Sequence, residues 1–271
     1  MAFLQNWKRW MVWLALAVAF AVACAFLSQW QFSRRAEAVA KINLVANNYD
    51  RPPVALDSLM SLGSFDLANE WRPVSLEGSF LPNDAVLVRN RPYNGQAGFL
   101  QVVPFKLSSG ETIAVETGWL PTGNKNDYPD VVPLPSADSV KITARLRPVE
   151  PTLGRDAPAK QIATLNVESL ISKVGLTGPV YKAAYARLAS SYNDSQLPKV
   201  LPRPELTEGN HLSYALQWIL FALMAFIALW WAIRQEIIAR KIAADPNFKP
   251  KTRKKFGDND KAVEDEILES L

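Results

Sequence analysis

Two long runs without a charged residue, one near each end of the chain, dominate its hydrophobic pattern. Residues 10–33 carry no charge, and neither do residues 212–233, in which the polar groups are those of Ser213, Tyr214 and Gln217. About 20 apolar residues cross the hydrocarbon core of a bilayer as a helix, so we predict transmembrane helices at 10–33 and 211–233. The first run is longer than the apolar core of a signal peptide and a poor cleavage site follows it, so we expect this helix to be retained.

Basic residues near the two runs indicate the orientation. Lys8 and Arg9 precede the first run, and residues 234–255 hold eight Lys and Arg residues against two acidic ones. Because Lys and Arg close to a span favour the cytoplasmic side, we expect residues 1–9 and the charged tail 234–271 to be cytoplasmic and residues 34–210 to be extracytoplasmic. Only nine residues precede the first span, so we expect no mitochondrial transit peptide. The simplest location is the bacterial inner membrane, in contact with its lipids.

The residues between the two runs have the pattern of a β-rich domain with helical insertions. Turn signals such as Tyr93-Asn94-Gly95 and Ser108-Ser109-Gly110 separate short β-rich runs and indicate hairpins. The predicted strands are 71–80, 85–90, 98–107, 111–119 and 140–149. The predicted helices are 36–47, 165–174 and 178–190, with a short helical turn at 57–62. We therefore predict an α+β, mainly antiparallel β domain. The aromatic residues expected in its core are Trp71, Phe80, Phe99, Phe105 and Trp119.

The composition excludes several classes of site. Cys24 is the only cysteine and lies inside the first apolar run, so we expect neither a disulfide framework nor a thiolate metal site. The net charge of +4 lies mostly near the C-terminus, and we find no basic module with interleaved aromatics of the kind that binds nucleic acid. We expect no nucleic-acid partner.

Serines offer one possible chemistry. Ser108, Ser109, Ser190 and Ser191 lie in a domain that we expect outside the cytoplasm and anchored in the membrane, which is a setting used by Ser/Lys peptidases. However, the pair Ser108-Ser109 fits the tip of a hairpin better than a nucleophile site. A membrane-anchored hydrolase stays open as the less favoured alternative.

His211 is the only histidine of the chain, and it opens the second apolar run directly after Gly209-Asn210. On a helix, His211, Tyr214, Ala215 and Trp218 share one face, with Trp218 about 10 Å further along the axis. An imidazole nitrogen can take an axial position on haem iron, and aromatic surface can hold the flat macrocycle. The alternative is that His211 only caps the helix at the membrane surface, and position alone favours that simpler role.

Five blocks of residues, in order along 28–221, resemble the Surfeit locus proteins, which are assembly factors of cytochrome c oxidase. Each block is weak by itself, but five in order between two terminal spans are specific. The blocks are Ser28–Arg35; Trp71–Val74 with Gly78 and Phe80; Arg89–Pro92 with Gly98-Phe99 and Pro104-Phe105; Gly118–Pro121; and His211–Trp218. Two positions depart from the family pattern, Ser28 where glycine is usual and Thr117 where arginine is common. The C-terminal extension resembles that of actinobacterial members.

The resemblance implies a protein that binds haem a and helps to deliver or insert it into the catalytic subunit of the oxidase. The histidine and tryptophan that the family implicates in haem binding match His211 and Trp218, and Tyr214 shares their helical face. No turnover reaction is implied, so we do not expect an enzyme. The implied partners are the oxidase catalytic subunit and haem a synthase. A scaffold that stabilises the oxidase subunit without touching haem is the main alternative.

Overall fold

The computed structural model describes residues 7–124, 127–190, 198–245 and 248. The chain divides into two compact units. The first is formed by Met1–Arg35 with Gly209–Leu271, and the second is formed by Ala36–Glu208.

Two long helices contain the predicted spans. Helix α1 covers Trp7–Asn48 and helix α3 covers His211–Ala244, and both are long and apolar enough to cross a bilayer by length and composition. Both helices are longer than the predicted spans. The helix predicted at 36–47 is the end of α1, because no glycine or proline interrupts residues 34–48. Helix α1 ends at Asn48, before Arg51-Pro52-Pro53, because the residue before a proline disfavours the helical conformation.

Helices α1 and α3 pack antiparallel within the first unit. The hydroxyl of Ser28 donates a hydrogen bond to the carbonyl oxygen of Ala215 at 3.0 Å, and both residues are buried. Nearer the other end of the pair, Arg9 forms an ion pair with Glu236. The less exposed positions recur at spacings of three and four along both helices, which is the pattern of helices that share a seam. These positions are Ala17, Ala21, Cys24, Ser28 and Gln31 on α1, and His211, Ala215, Trp218, Ala222, Ala225 and Leu229 on α3.

The second unit is built on one mixed sheet of eight strands. The strands are β1 Val54–Ala55, β2 Pro73–Phe80, β3 Val86–Val88, β4 Gly98–Leu107, β5 Thr112–Pro121, β6 Ser139–Pro148, β7 Gln161–Ile162 and β8 Ala184–Leu188, with helix α2 at Val167–Val174. Their order is β1-β2-β6-β8-β5-β4-β3-β7, and β2 also pairs with β4. That extra pairing closes β2, β6, β8, β5 and β4 into a barrel-like ring. Five of the strand pairs are antiparallel and three are parallel, so the sheet is mainly antiparallel.

Gly78 makes the closure possible. It lies opposite Val140 of β6 and opposite Leu107 of β4, so two neighbouring strands approach it at once. A Cβ atom built on Gly78 would lie 2.1 Å from the carbonyl oxygen of Lys106. Because this neighbour is backbone rather than a flexible side chain, only glycine fits at this position without separating β2 from β4.

The core confirms the predicted aromatic positions. Phe80 and Phe105 are fully buried and meet edge to face, with ring centroids 4.8 Å apart. Phe99, Trp71 and Trp119 are also buried. Phe80 and Phe105 belong to one core cluster, Trp119 to a second and Phe99 to a third. The domain is held by packing, as the lack of disulfides requires.

The predicted helix at 178–190 is wrong. Residues Ala184–Leu188 form strand β8, which pairs parallel with β5 and antiparallel with β6. The alanine-rich sequence favours a helix by local propensity. However, Ala184, Ala186 and Leu188 belong to one core cluster and Tyr185 to another. Successive side chains are thus buried on the two faces of a strand, and this burial outweighs the local preference for a helix. The predicted turn at 57–62 is a 3-10 helix at Leu56–Ser58.

A buried ion pair lies between β5 and β8. Glu116 and Arg187 are directly paired in register, and Arg187 Nε lies 2.8 Å from Glu116 Oε1. The carboxylate is fully buried. Burial first, and the charge of Glu116 second, raise the pKa of the neighbouring Tyr185 to about 12. Removal of either member of such a pair leaves an uncompensated charge in the core, at a cost of about 3–5 kcal/mol.

Substitution of Gly78 by alanine should destabilise the second unit by roughly 3 kcal/mol or more, because the new methyl group cannot be accommodated by a side-chain movement. Thermal unfolding of the full-length protein in detergent measures the effect. Gly63→Ala is the matched control, since a Cβ there meets nothing within 4 Å. Equal melting temperatures for the two variants would contradict the proposed role of Gly78 in closure.

The stability of the domain should fall between about pH 10 and pH 12. Tyr185 has a pKa of about 12 when folded and about 10 when unfolded, so its contribution is complete below pH 10 and is lost as the unfolded chain ionises. The expected loss of unfolding free energy is roughly 2–3 kcal/mol. Denaturant unfolding of wild type and Tyr185→Phe across this range tests it, because the variant should lose less stability. Tyr128→Phe, at an exposed position, should behave like wild type.

Candidate functional site

His211 is the first residue of α3, and the chain reaches it through a tight turn. Gly209 has a φ of +65°, a left-handed conformation that favours glycine. Asn210 occupies the N-cap position, and its carbonyl oxygen accepts the first helical hydrogen bond, from the backbone N–H of Tyr214. The Asn210 side chain makes no capping bond. The turn therefore sets the start of α3 and the position of the His211 ring.

The His211 ring contacts helix α1. Its Nδ1 atom lies 2.8 Å from the side-chain Oε1 of Gln31, a contact between residues 180 positions apart in sequence. Both residues are partly buried. On its other side the ring faces Gly209, where a Cβ would lie 3.5 Å from Cδ2 and 3.6 Å from Nε2. One ring nitrogen is thus engaged by an amide, and the other faces a residue without a side chain.

The structure brings two of the other predicted residues onto the same seam. Ala215 and Trp218 follow His211 along the face of α3 that packs on α1. The Trp218 ring is partly buried and meets Phe221 edge to face, with centroids 5.7 Å apart. Tyr214 lies at the margin of this face and is 49% exposed, so its ring is turned away from the helix seam. The site therefore combines one imidazole, a shielded indole and an outward phenol.

Gln31 is the residue of this site that sequence reasoning missed. It belongs to the block Ser28–Arg35, and it follows Ser28 at a spacing of three, which places both on one helical face. That periodicity is the available signal. It does not reveal which residue of α3 lies opposite Gln31, since this depends on how the two helices are aligned.

Several motif residues of the β domain form a structural network instead. Trp71 has a φ of +71°, which is unusual for a bulky residue, and its ring lies 4.0 Å from the Arg147 guanidinium and 5.4 Å from that of Arg187. Cation–π contacts of this kind contribute about 0.5–2 kcal/mol each. We infer that they help to hold Trp71 in its strained conformation.

Arg91 connects a second part of this network. Its guanidinium binds both carboxylate oxygens of Glu150, which also accepts the backbone N–H of Leu165 at 2.8 Å. Burial would raise the pKa of Glu150, but the Arg91 contacts and the Leu165 hydrogen bond lower it below its usual value. The Trp119 Nε1–H donates to the Arg91 carbonyl oxygen at 2.6 Å. The motif around residues 89–92 thereby joins three segments of the domain, which contain Trp119, Glu150 and Leu165.

The two positions at which we expect a departure from the family pattern both make hydrogen bonds. Ser28 donates to α3, as described above. Thr117 is fully buried and has its Oγ1 2.6 Å from Gln101 Oε1. The Gln101 amide in turn donates to the carbonyl oxygen of Pro133 at 2.7 Å. Each residue thus makes a local contact within its own unit.

The serines considered for a hydrolase serve other contacts. Ser108 donates to the Glu77 carbonyl oxygen at 3.2 Å, and Ser109 bonds to the Glu111 carboxylate. Both lie in the β4–β5 turn and are exposed, which confirms the predicted hairpin tip. Ser190 is exposed, and Ser191 is outside the described residues. Within the described ranges, no three His, Cys, Asp or Glu side chains come together as a metal site.

Comparisons with known proteins match most of the chain. The SURF1 family profile matches residues 18–223. SURF1-like proteins of Mycobacterium tuberculosis and Mycobacterium bovis are each 32% identical over 253 residues, covering 89% of this chain and 91% of theirs. The cytochrome oxidase assembly protein SHY1 of Saccharomyces cerevisiae is 27% identical over 143 residues, covering 50% of this chain and 36% of its own.

The family profile runs from inside α1 to the middle of the apolar part of α3, so it includes the β domain, the Gln31 contact and the whole His211–Trp218 block. The mycobacterial relatives extend the match to nearly the full length of both chains. The chain therefore belongs to the SURF1 family.

Proposed function

We propose that this protein is a membrane-anchored assembly factor for cytochrome c oxidase, which binds haem a at His211 and assists its transfer to the oxidase catalytic subunit. Family membership and the name of the yeast relative support the assembly role. The observation that carries the haem part is the position of the only histidine, at the start of an apolar helix and on the same seam as Trp218.

The residues present fit one side of a haem. His211 supplies an imidazole nitrogen, which is the commonest type of axial ligand to haem iron. Trp218 lies about 10 Å further along the helix axis and offers apolar surface, whereas the ring of Tyr214 is turned away from this seam. Bound haem a would supply an iron centre that accepts this ligand. His211 is the residue of this chain that would hold the iron.

A holding site of this kind suits transfer rather than catalysis. Haem held by one side chain and a helix surface would stay accessible to a partner without unfolding of the domain. We infer that haem a synthase lies before this step and the oxidase catalytic subunit after it. A scaffold role without haem contact is also compatible with membership of the family. The experiment on His211 below separates the two roles.

The proposed setting is the bacterial inner membrane with both termini in the cytoplasm. The uncharged lengths of α1 and α3 match a bilayer core, and the basic residues follow the positive-inside pattern. Arg9 and Glu236 then lie near the cytoplasmic ends of the helices, and His211 lies at the extracytoplasmic end of α3. Lipid contacts the exposed apolar surface of both helices.

The orientation can be tested by cysteine labelling. In a Cys24→Ser background, a cysteine in place of Ser108 should react with an impermeant maleimide in intact spheroplasts, because the β domain is extracytoplasmic. A cysteine in place of Thr252, which is outside the described residues, should react only after lysis. The reverse labelling pattern would refute the orientation and the placement of His211.

Substitution of His211 should separate the haem chaperone from the scaffold. His211→Ala removes the iron ligand, so the purified protein should lose haem a or show a changed absorption spectrum. Trp218→Phe keeps an aromatic ring, so it should weaken haem retention and leave the coordination spectrum similar. His211→Met should restore an iron ligand and raise the reduction potential of the haem, because a thioether ligand raises this potential relative to imidazole.

All three variants should reach the membrane at normal levels, because none adds a charge or interrupts the helix. A His211→Ala protein that binds haem a with an unaltered spectrum would contradict the ligand assignment. In that case His211 is a helix-terminal residue, and the scaffold role becomes the better explanation.

A further inference from the structure

We propose that Gln31 is the residue that positions His211 for haem binding, by holding its ring in the tautomer that carries hydrogen on Nδ1 and leaves Nε2 as the iron ligand. This inference rests on the proposed function for its haem step. The state of the ring itself can be measured without haem.

The contact between the two helices carries the proposed choice of tautomer. The Gln31 Oε1 atom lies 2.8 Å from His211 Nδ1. With the amide in this orientation its oxygen accepts a hydrogen bond, which pairs it with the tautomer that has hydrogen on Nδ1. A neutral imidazole has one N–H, and its second nitrogen then bears the lone pair. Free histidine in water prefers the opposite tautomer, with hydrogen on Nε2. Gln31 therefore reverses the intrinsic preference of the ring.

Gly209 leaves the other nitrogen accessible. A side chain at this position would place its Cβ 3.6 Å from Nε2, in van der Waals contact with the ligand atom. The φ of +65° disfavours any residue but glycine there. The absence of a side chain at Gly209 thus leaves space beside Nε2, and α1 contacts the ring at Nδ1. Together they select Nε2 as the nitrogen that can meet an iron atom.

A glutamine suits this place better than an acid. Histidine ligands commonly donate their second N–H to a carboxylate or a carbonyl group, which fixes the ring and increases its basicity. A carboxylate would also favour the protonated imidazolium, which has no lone pair for iron. It would further add a charge between two apolar helices, where charges are costly. An amide orients the ring without adding a charge.

The first test reads the tautomer directly in the haem-free protein. Because His211 is the only histidine, labelling with ¹⁵N-histidine gives the signals of a single ring in the full-length protein in detergent micelles. The wild type should show a protonated Nδ1 and an unprotonated Nε2. Gln31→Met, which has a similar length and no amide acceptor, should shift the ring towards the tautomer with hydrogen on Nε2.

Gln29→Met is the matched control. Gln29 lies on the same helix, two residues earlier, and its side chain is exposed, so this variant should leave the nitrogen signals unchanged. A wild-type ring with hydrogen on Nε2, or equal spectra for wild type and Gln31→Met, would overturn the proposal.

The second test measures the haem-loaded protein. Gln31→Met should bind haem a about 10- to 100-fold more weakly, the usual effect of removing the hydrogen-bond partner of a metal ligand, and its haem potential should rise because the ligand is less basic. Gln29→Met should match wild type in both. Unchanged affinity and potential in Gln31→Met would overturn the positioning role, even if wild type binds haem normally. A wild type that binds no haem a would instead refute the proposed function, and the tautomer measurement would still decide the state of the ring.

Discussion

Strand β2 hydrogen-bonds along one edge to β6 and, near Gly78, along the other edge to β4. The approach of the β4 backbone to Gly78 closes the ring of strands, and most of the second unit depends on this contact. Closure places Phe80 in register with Phe105, and the two buried rings meet edge to face. The pairing of β5 with β8, where Glu116 meets Arg187, belongs to the same ring of strands. The absence of a side chain at Gly78 thus permits the ring that encloses the core.

The association of helices α1 and α3 has a different basis, because few of their residues are buried and most of their apolar surface faces outward. Three polar contacts mark its length: Arg9 with Glu236, Ser28 with Ala215, and Gln31 with His211. In the proposed bilayer, lipid is as apolar as the helices, so burial of leucine does little to hold them together. Hydrogen bonds and ion pairs then define which residues lie opposite each other. A shift of α1 by one turn relative to α3 would break all three contacts at once.

The sequence predicted those features that local pattern and turn chemistry determine. The bounds of β4 and the hairpin tip at Ser108-Ser109 agree with the structure, because alternation and turn residues specify them locally. The prediction failed at 178–190, where alanine and leucine favour a helix but the strand is selected by distant partners in β5 and β6. Parallel pairing of β5 with β8 leaves no local signal of its own. At the candidate site, His211 and Trp218 could be chosen from composition and spacing, and Gln31 could not, since its role arises from the alignment of two helices 180 residues apart.

Ring closure also determines how the β domain can meet a partner. Among the described strands, the two ends of the ladder are β1 and β7, and each is only two residues long. Long unpaired edges are the usual template for aggregation and for binding by strand addition. The described part of the domain therefore offers little edge that an incoming polypeptide could extend. Recognition of a partner by this domain would then use side chains and loops rather than strand addition.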